Sequence, residues 1–167
     1  SGTVKHIGVC NYSSGLLHDL MNYSKLPPEV LQIESHPYLT QENLVRLAKN
    51  YDLEVTAFSP LGSLSYVELD MADVDESILE QAVVKDIANR IGCTPAQVLL
   101  GWGVQRGTSL VVKSMNPERM AQNLSATEIQ LSQDDMDSIS ALNRNRRYND
   151  PGMFCEAAFN TFHPIYD

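Results

Sequence analysis

The chain has 167 residues, with 21 acidic against 12 basic side chains and a net charge of −9. At 43% hydrophobic and 20% charged it has the makeup of a globular domain able to bury a core. Its acidic balance supplies no broad positive field for phosphate backbones, so no nucleic-acid partner is expected.

In chain order, Val4 to Val9 reads as a buried strand and Leu16 to Tyr23 as a helix. Val30 to Glu34 is a second strand, followed by a helix over Gln41 to Tyr51 that Thr40 is expected to cap. Val55 to Phe58 is a third strand. A long polar connection leads to one helix over Ile78 to Ile91, with apolar residues at Ile78, Leu79, Val83, Ile87 and Ile91. Thr94-Pro95-Ala96-Gln97 opens another helix: Thr94 caps, Pro95 suits the first helical position, and Gln97 reaches back to close a capping box. Leu110 to Val112 is a fourth strand, and Asn116-Pro117-Glu118 starts the next helix by the same logic. Ser132 caps one more helix, and an aromatic tail closes the chain.

Strand followed by helix, four times over, predicts an α/β protein with a parallel sheet. Neither G-x-G-x-x-G nor a P-loop follows any strand, which disfavours a Rossmann or Walker site. The polar residues Asn11, His36, Ser59 and Lys113 fall just after strands, where barrel enzymes place their chemistry. Two segments carry the sharpest signal. VTAFSPLGS, Val55 to Ser63, offers Ser59 and Ser63 around a Pro-Leu-Gly turn. KSMNPERMAQN, Lys113 to Asn123, offers Lys113 and Ser114, then a helix start that carries Arg119. Hydroxyls, a lysine and an arginine at strand ends suit an anion, and the expected one is a nucleotide phosphate.

Three cysteines, Cys10, Cys93 and Cys155, have no CxxC spacing. A disulfide framework and a zinc site are disfavoured, no metal is expected, and a reducing compartment fits. No apolar run nears the roughly 20 residues of a membrane helix, and no signal peptide is read at the start, so membrane insertion is not expected and the cytoplasm is. Arg144, Arg146 and Arg147 read as a solvated loop or an acid-pairing patch. His36 reads as a packed, hydrogen-bonded loop residue rather than a base, Cys10 as a small buried side chain, and Trp102 as core.

GVCNY at Gly8 to Tyr12, QIESHPYLTQ at Gln32 to Gln41, VTAFSPLGS and KSMNPERMAQN occur in the order seen in aldo-keto reductases, and the chain resembles that family along most of its length. The resemblance implies the last four βα units of a (β/α)8 TIM-type barrel, a half-barrel over residues 1–143, with a C-terminal loop and tail over 144–167. It implies an NADPH site on the C-terminal face. Asn11 and Gln32 would bond the nicotinamide carboxamide, and Phe58, where the family has Tyr, would stack on the ring. Ser59, Leu61 and Ser63 would line the pyrophosphate. Lys113, Ser114 and Arg119 would hold the 2′-phosphate, and Asn123 would contact adenine. Phe154, Phe159 and Phe162 are weak candidates for substrate contact.

The family's proton-transfer residues, an Asp, a Tyr, a Lys and a His, belong to its first four units. On this resemblance the chain carries no catalytic residue of its own and is the cofactor-binding half of a carbonyl reductase. The alternative is a non-catalytic assembly subunit. A half-barrel is expected to expose two strand edges and a concave apolar face. It should seek a missing N-terminal half, a second copy or a larger complex, with a small carbonyl substrate only in the whole barrel.

Overall fold

The computed structural model describes residues 2–162, 164 and 166, and only the backbone of Met153 and Phe154. Four parallel strands lie in chain order: β1 (Gly8–Cys10), β2 (Val30–Glu34), β3 (Glu54–Phe58) and β4 (Ser109–Val111). Between and after them run α1 (Ser14–Tyr23), α2 (Glu42–Asn50), α3 (Leu64–Val67), α4 (Ala82–Ile91), α5 (Pro95–Gln105), α6 (Pro117–Ser125), α7 (Gln133–Ser140) and α8 (Pro151–Phe159). The fold is α/β, of the barrel type, with helices on one face of the sheet.

Strand alternation decides which residues face the helices. Leu31, Ile33 and Val55 form one buried cluster with Leu17 of α1 and Val45 and Ala48 of α2. The residues between them point to the opposite, concave face. The register aligns Cys10, Gln32, Thr56 and Ser109 in one row across the sheet, and Glu34, Phe58 and Val111 in the next. Thr56 and Ser109 join hydroxyls at 2.8 Å. The expected concave apolar face is therefore corrected: its middle row is polar. Cys10 is exposed on it rather than buried, because it points away from the helix layer and β1 has a strand on one side only.

A second cluster lies beyond β3. Val84, Ile87 and Ala88 of α4, Val98, Leu99 and Trp102 of α5, and Met136 and Ile139 of α7 pack with Tyr38, Tyr66 and Tyr148. Trp102 is core, as expected, and its Nε1 donates to Ser140 Oγ at 3.0 Å. The Thr94–Gln97 capping box, the Asn116 cap and the Ser132 cap all form.

Several boundaries differ from expectation; α1 begins at Ser14 and β3 at Glu54, each earlier than expected. Residues 4–7 run ahead of β1 without pairing as strand, and Val4 is 67% exposed. Pairing of the fourth strand begins at Ser109 and ends at Val111, one residue earlier than expected at each end. Thr40 does not cap α2; Gln41 holds that place in the left-handed region, while the buried Thr40 ties its backbone to Asn143 and Arg106. The helix expected over Ile78 to Ile91 is interrupted: Ile78–Glu80 form a short 3-10 turn, and Gln81, extended at ψ 132°, separates it from α4. The aromatic tail is not all loop either, since α8 lies within it.

Candidate functional site

The C-terminal ends of the four strands make one rim, and the residues picked out by sequence lie along it in chain order. Asn11 follows β1 in the left-handed region (φ 58°) and donates its backbone N–H to the Gln32 carbonyl at 2.9 Å. Its Oδ1 is buried with no hydrogen-bond partner among the described residues. Gln32 sits half-buried in the polar row, with its Oε1 3.8 Å from Cys10 Sγ. Phe58 ends β3 beside Glu34.

The turn after β3 is shaped by backbone conformation. Ser59 and Gly62 both have positive φ, 52° and 74°. A Cβ on Gly62 would lie 2.5 Å from Ile78 Cδ1, so only glycine fits. Ser59 Oγ bonds the Tyr66 hydroxyl at 2.8 Å, Leu61 packs on the core, and Ser63 Oγ is buried without a partner among the described residues. After β4, Ser114 Oγ accepts from the Asn116 N–H at 3.1 Å, and Asn116 Oδ1 accepts from the Arg119 N–H at 3.1 Å. Lys113 and Arg119 are exposed, and among the described residues neither forms an ion pair. Ser114 and Asn123 line a cleft of about 520 Å³ between β4, α5 and α6, whose other walls include Leu110, Val112 and Met120.

The rim thus offers an amide acceptor after β1, orphaned among the described residues, and an aromatic ring at the end of β3. The half-buried Ser59 and buried Ser63 hydroxyls follow in the next turn, and two cations, unpaired among the described residues, stand after β4 and at the start of α6. Those groups suit an extended ligand with an amide or aromatic head and phosphates toward β4. Among the described residues, no group of three or more His, Cys, Asp or Glu could hold a metal ion.

One feature escaped sequence reading. Glu34 is fully buried on the inner face, yet charged groups and main-chain donors surround it. It accepts from His36 Nε2 at 3.0 Å, Tyr148 N at 2.8 Å and Asn149 N at 3.0 Å. Burial pushes its carboxyl up, but those three hydrogen bonds outweigh burial and hold it below the usual carboxylate range. His36 is the packed loop residue expected, buried against this carboxylate. The only local hint was the Glu-x-His spacing at a strand end; the tail partners lie 114 and 115 residues away.

For the arginines the structure decides between two readings. Arg146 pairs with Glu76 at 3.0 Å and lies over the Tyr148 ring, and Arg144 also pairs with Glu76 and lies over Tyr38. The acid-pairing alternative for this basic cluster is the one realised. Of the three substrate candidates, Phe159 is 75% and Phe162 79% exposed. The Phe154 side chain lies outside the described residues.

The profile of the Aldo/keto reductase family matches residues 1–144. The chain belongs to that family. A probable NAD(P)H-dependent D-xylose reductase of Aspergillus fumigatus is 50% identical over 149 residues, covering 88% of this chain and 47% of the relative. The NAD(P)H-dependent D-xylose reductase of Aspergillus niger is 46% identical over 149 residues, again 88% of this chain and 47% of the relative. An aldose reductase from Giardia lamblia superposes with TM-score 0.82 at 38% identity, over 99% of this chain and 52% of that one. An aldo-keto reductase from a Medee basin deep-sea metagenome gives 0.77 at 31% identity, over 87% and 51%. The chain spans about half the length of the relatives it matches. Among the described residues, no helix is long and apolar enough to cross a membrane.

Proposed function

We propose that these residues form the cofactor-binding half of an NADPH-dependent aldo-keto reductase, with residues 1–143 as the half-barrel and 144–167 as a C-terminal loop and tail. The observation that carries this reading is the rim itself. In chain order the four βα units carry an amide acceptor unpartnered among the described residues, an aromatic ring, two serine hydroxyls and two cations unpaired among the described residues, an order that suits an extended dinucleotide.

In this reading Asn11 and Gln32 hold the carboxamide and Phe58 supports the ring face. Ser59, Leu61 and Ser63 follow the pyrophosphate, and Asn123 meets adenine. Lys113, Ser114 and Arg119 take the 2′-phosphate. Bound NADPH would supply hydride to an aldehyde or ketone. The groups here bind and orient, while the proton comes from Asp, Tyr, Lys and His side chains outside these four units. The 167-residue chain alone should therefore not reduce aldehydes above background.

Titration of the chain with NADPH and NADH tests the assignment. A charge-assisted contact is worth about 1.5–3 kcal/mol. Arg119→Ala should therefore weaken NADPH at least about tenfold and leave NADH unchanged. Equal affinity for both nucleotides, or no loss in the variant, overturns the 2′-phosphate role.

A second reading, assembly with another polypeptide, is favoured by the apolar surface at the sheet's two edges. Ile7 before β1 and Val111 in β4 are 40% and 52% exposed, and Met115 is 88% exposed. Parallel edges left open invite pairing. A complementary half, a second copy or a larger complex would cover them. Sedimentation over a concentration series should show association; a monomer that stays folded at low micromolar concentration refutes this reading.

A further inference from the structure

The C-terminal segment reaches the carboxamide end of the rim. Glu34 fixes its start through the N–H groups of Tyr148 and Asn149. Beyond α8, Tyr166 returns to the same place: the Arg147 guanidinium lies 3.6 Å from its ring centroid, and Arg147 Nη1 is 4.0 Å from Glu34 Oε2. Tyr166 and Asn11 line one cavity of about 160 Å³, together with Tyr12, Ile33 and Gln41. The Tyr166 hydroxyl and Asn11 Oδ1 are both buried, and neither has a partner among the described residues. Burial raises the hydroxyl above its ordinary value; Arg147 opposes this, and the carboxylates Glu34 and Asp150 reinforce it. The ring therefore lies at the rim, beside Asn11 and against Arg147.

We infer that Tyr166 is an autoinhibitory plug: its ring occupies the nicotinamide end of the site until a nicotinamide cofactor displaces it. The inference rests on the cofactor reading above and adds a regulation to the same site. Its physical logic is the pair of unsatisfied atoms. A plug that satisfied Asn11 would be hard to remove. This one leaves a buried amide oxygen without a donor among the described residues, and a carboxamide N–H₂ supplies that donor. Exchange of ring for carboxamide is therefore favourable at Asn11, while the Arg147 contact and the Glu34 anchor oppose it. A ligand that engages only Lys113, Ser114 and Arg119 has no reason to disturb the ring.

Two ligands separate these ends: NADPH, and 2′-phospho-adenosine diphosphoribose, which keeps the phosphates and adenine but has no nicotinamide. Binding of each is measured by calorimetry on the 167-residue chain, on Tyr166→Ala and on a chain ending at Asn160. A plug seated eight- or nine-tenths of the time lowers apparent affinity about fivefold to tenfold. Both variants should tighten NADPH by that factor and leave the fragment unchanged. Unchanged NADPH affinity in both variants, with the fragment still bound, overturns the plug alone. Tightening of both ligands alike overturns it too, since the effect would not be confined to the nicotinamide end. No binding of either ligand to any of the three proteins overturns the cofactor reading, and the plug with it.

Discussion

Helices α5 and α6 begin alike and end up in opposite roles. Each opens with a capping side chain, Thr94 or Asn116, followed by proline at the first helical position. Local sequence makes both of them helices. α5 then buries Val98, Leu99, Leu100, Gly101, Trp102 and Gly103, and a Cβ on Gly103 would meet Leu110 at 2.8 Å. α6 buries none of its residues, and Leu124 is 75% exposed. One helix is a wall of the core. The other carries Arg119, Asn123 and an uncovered apolar stripe. Capping determines that a helix forms; packing determines whether it serves stability or a ligand.

The comparison breaks most easily at Trp102. Its indole is 2% exposed, donates to Ser140, and lies 4.3 Å under the Arg106 guanidinium. Trp102→Ala should cost about 3–5 kcal/mol through lost burial and a cavity. Leu124→Ala on the facing helix should stay within about 0.5 kcal/mol. Urea denaturation of both variants checks this, and comparable losses would mean that α6 is packed in solution.

The next effect lies at Glu34, which ties the tail to the sheet. Glu34→Ala leaves two main-chain N–H groups and His36 without their acceptor. The cost should be about 3 kcal/mol, as when one partner of a buried pair is removed. The sign of the pH dependence follows from the depressed carboxyl of the folded protein. Its stabilisation is present above the ordinary carboxylate value and is lost as pH falls through the folded one. Glu76, held low first by the Arg146 hydrogen bond, acts in the same direction. So does Asp135, where burial raises the carboxyl but Arg90 and Ser132 outweigh it. Melting temperature should therefore drop below about pH 4, and less steeply in Glu34→Gln. A wild-type melting temperature that is flat from neutral pH to pH 3 contradicts the sign.

What could be read from sequence follows the range of the forces. Strand β2 was legible to the residue, Val30 to Glu34, because a strand paired on both sides is a short apolar run. So was the start of α5, because the Thr94–Gln97 box is local. β1 begins later than its apolar run suggests, since residues 4–7 have no strand to pair with. The break at Gln81 carries no glycine or proline to announce it. Cys10, read as a small buried side chain, is exposed because alternation puts it on the open face. Strand-end positions sufficed to place Asn11, Ser59 and Lys113 on one rim. The Glu34–Tyr148 anchor and the reach of Tyr166 depend on chain closure over more than a hundred residues, and no local spacing encodes that.

The smallest predicted effect returns to the two caps. A side-chain cap is worth about 1 kcal/mol when its helix must stay formed for the protein to stay folded. Thr94 accepts from Gln97 N at 3.2 Å and its own N–H donates to Gln97 Oε1 at 2.9 Å, at the head of a buried helix. Thr94→Ala should lower global stability by about 1 kcal/mol. Asn116 accepts from Arg119 N at 3.1 Å, at the head of a helix with no buried residue. Asn116→Ala should hardly move global stability, because α6 can fray without opening the core. Its loss should appear instead as faster amide exchange at Arg119 and Met120. If α6 holds a phosphate, NADPH binding should weaken as well, since the cap sets the direction of the first turn. Hydrogen exchange resolved by residue distinguishes the two cases: protection lost across α5 and its neighbours together for Thr94→Ala, but only in the first turn of α6 for Asn116→Ala.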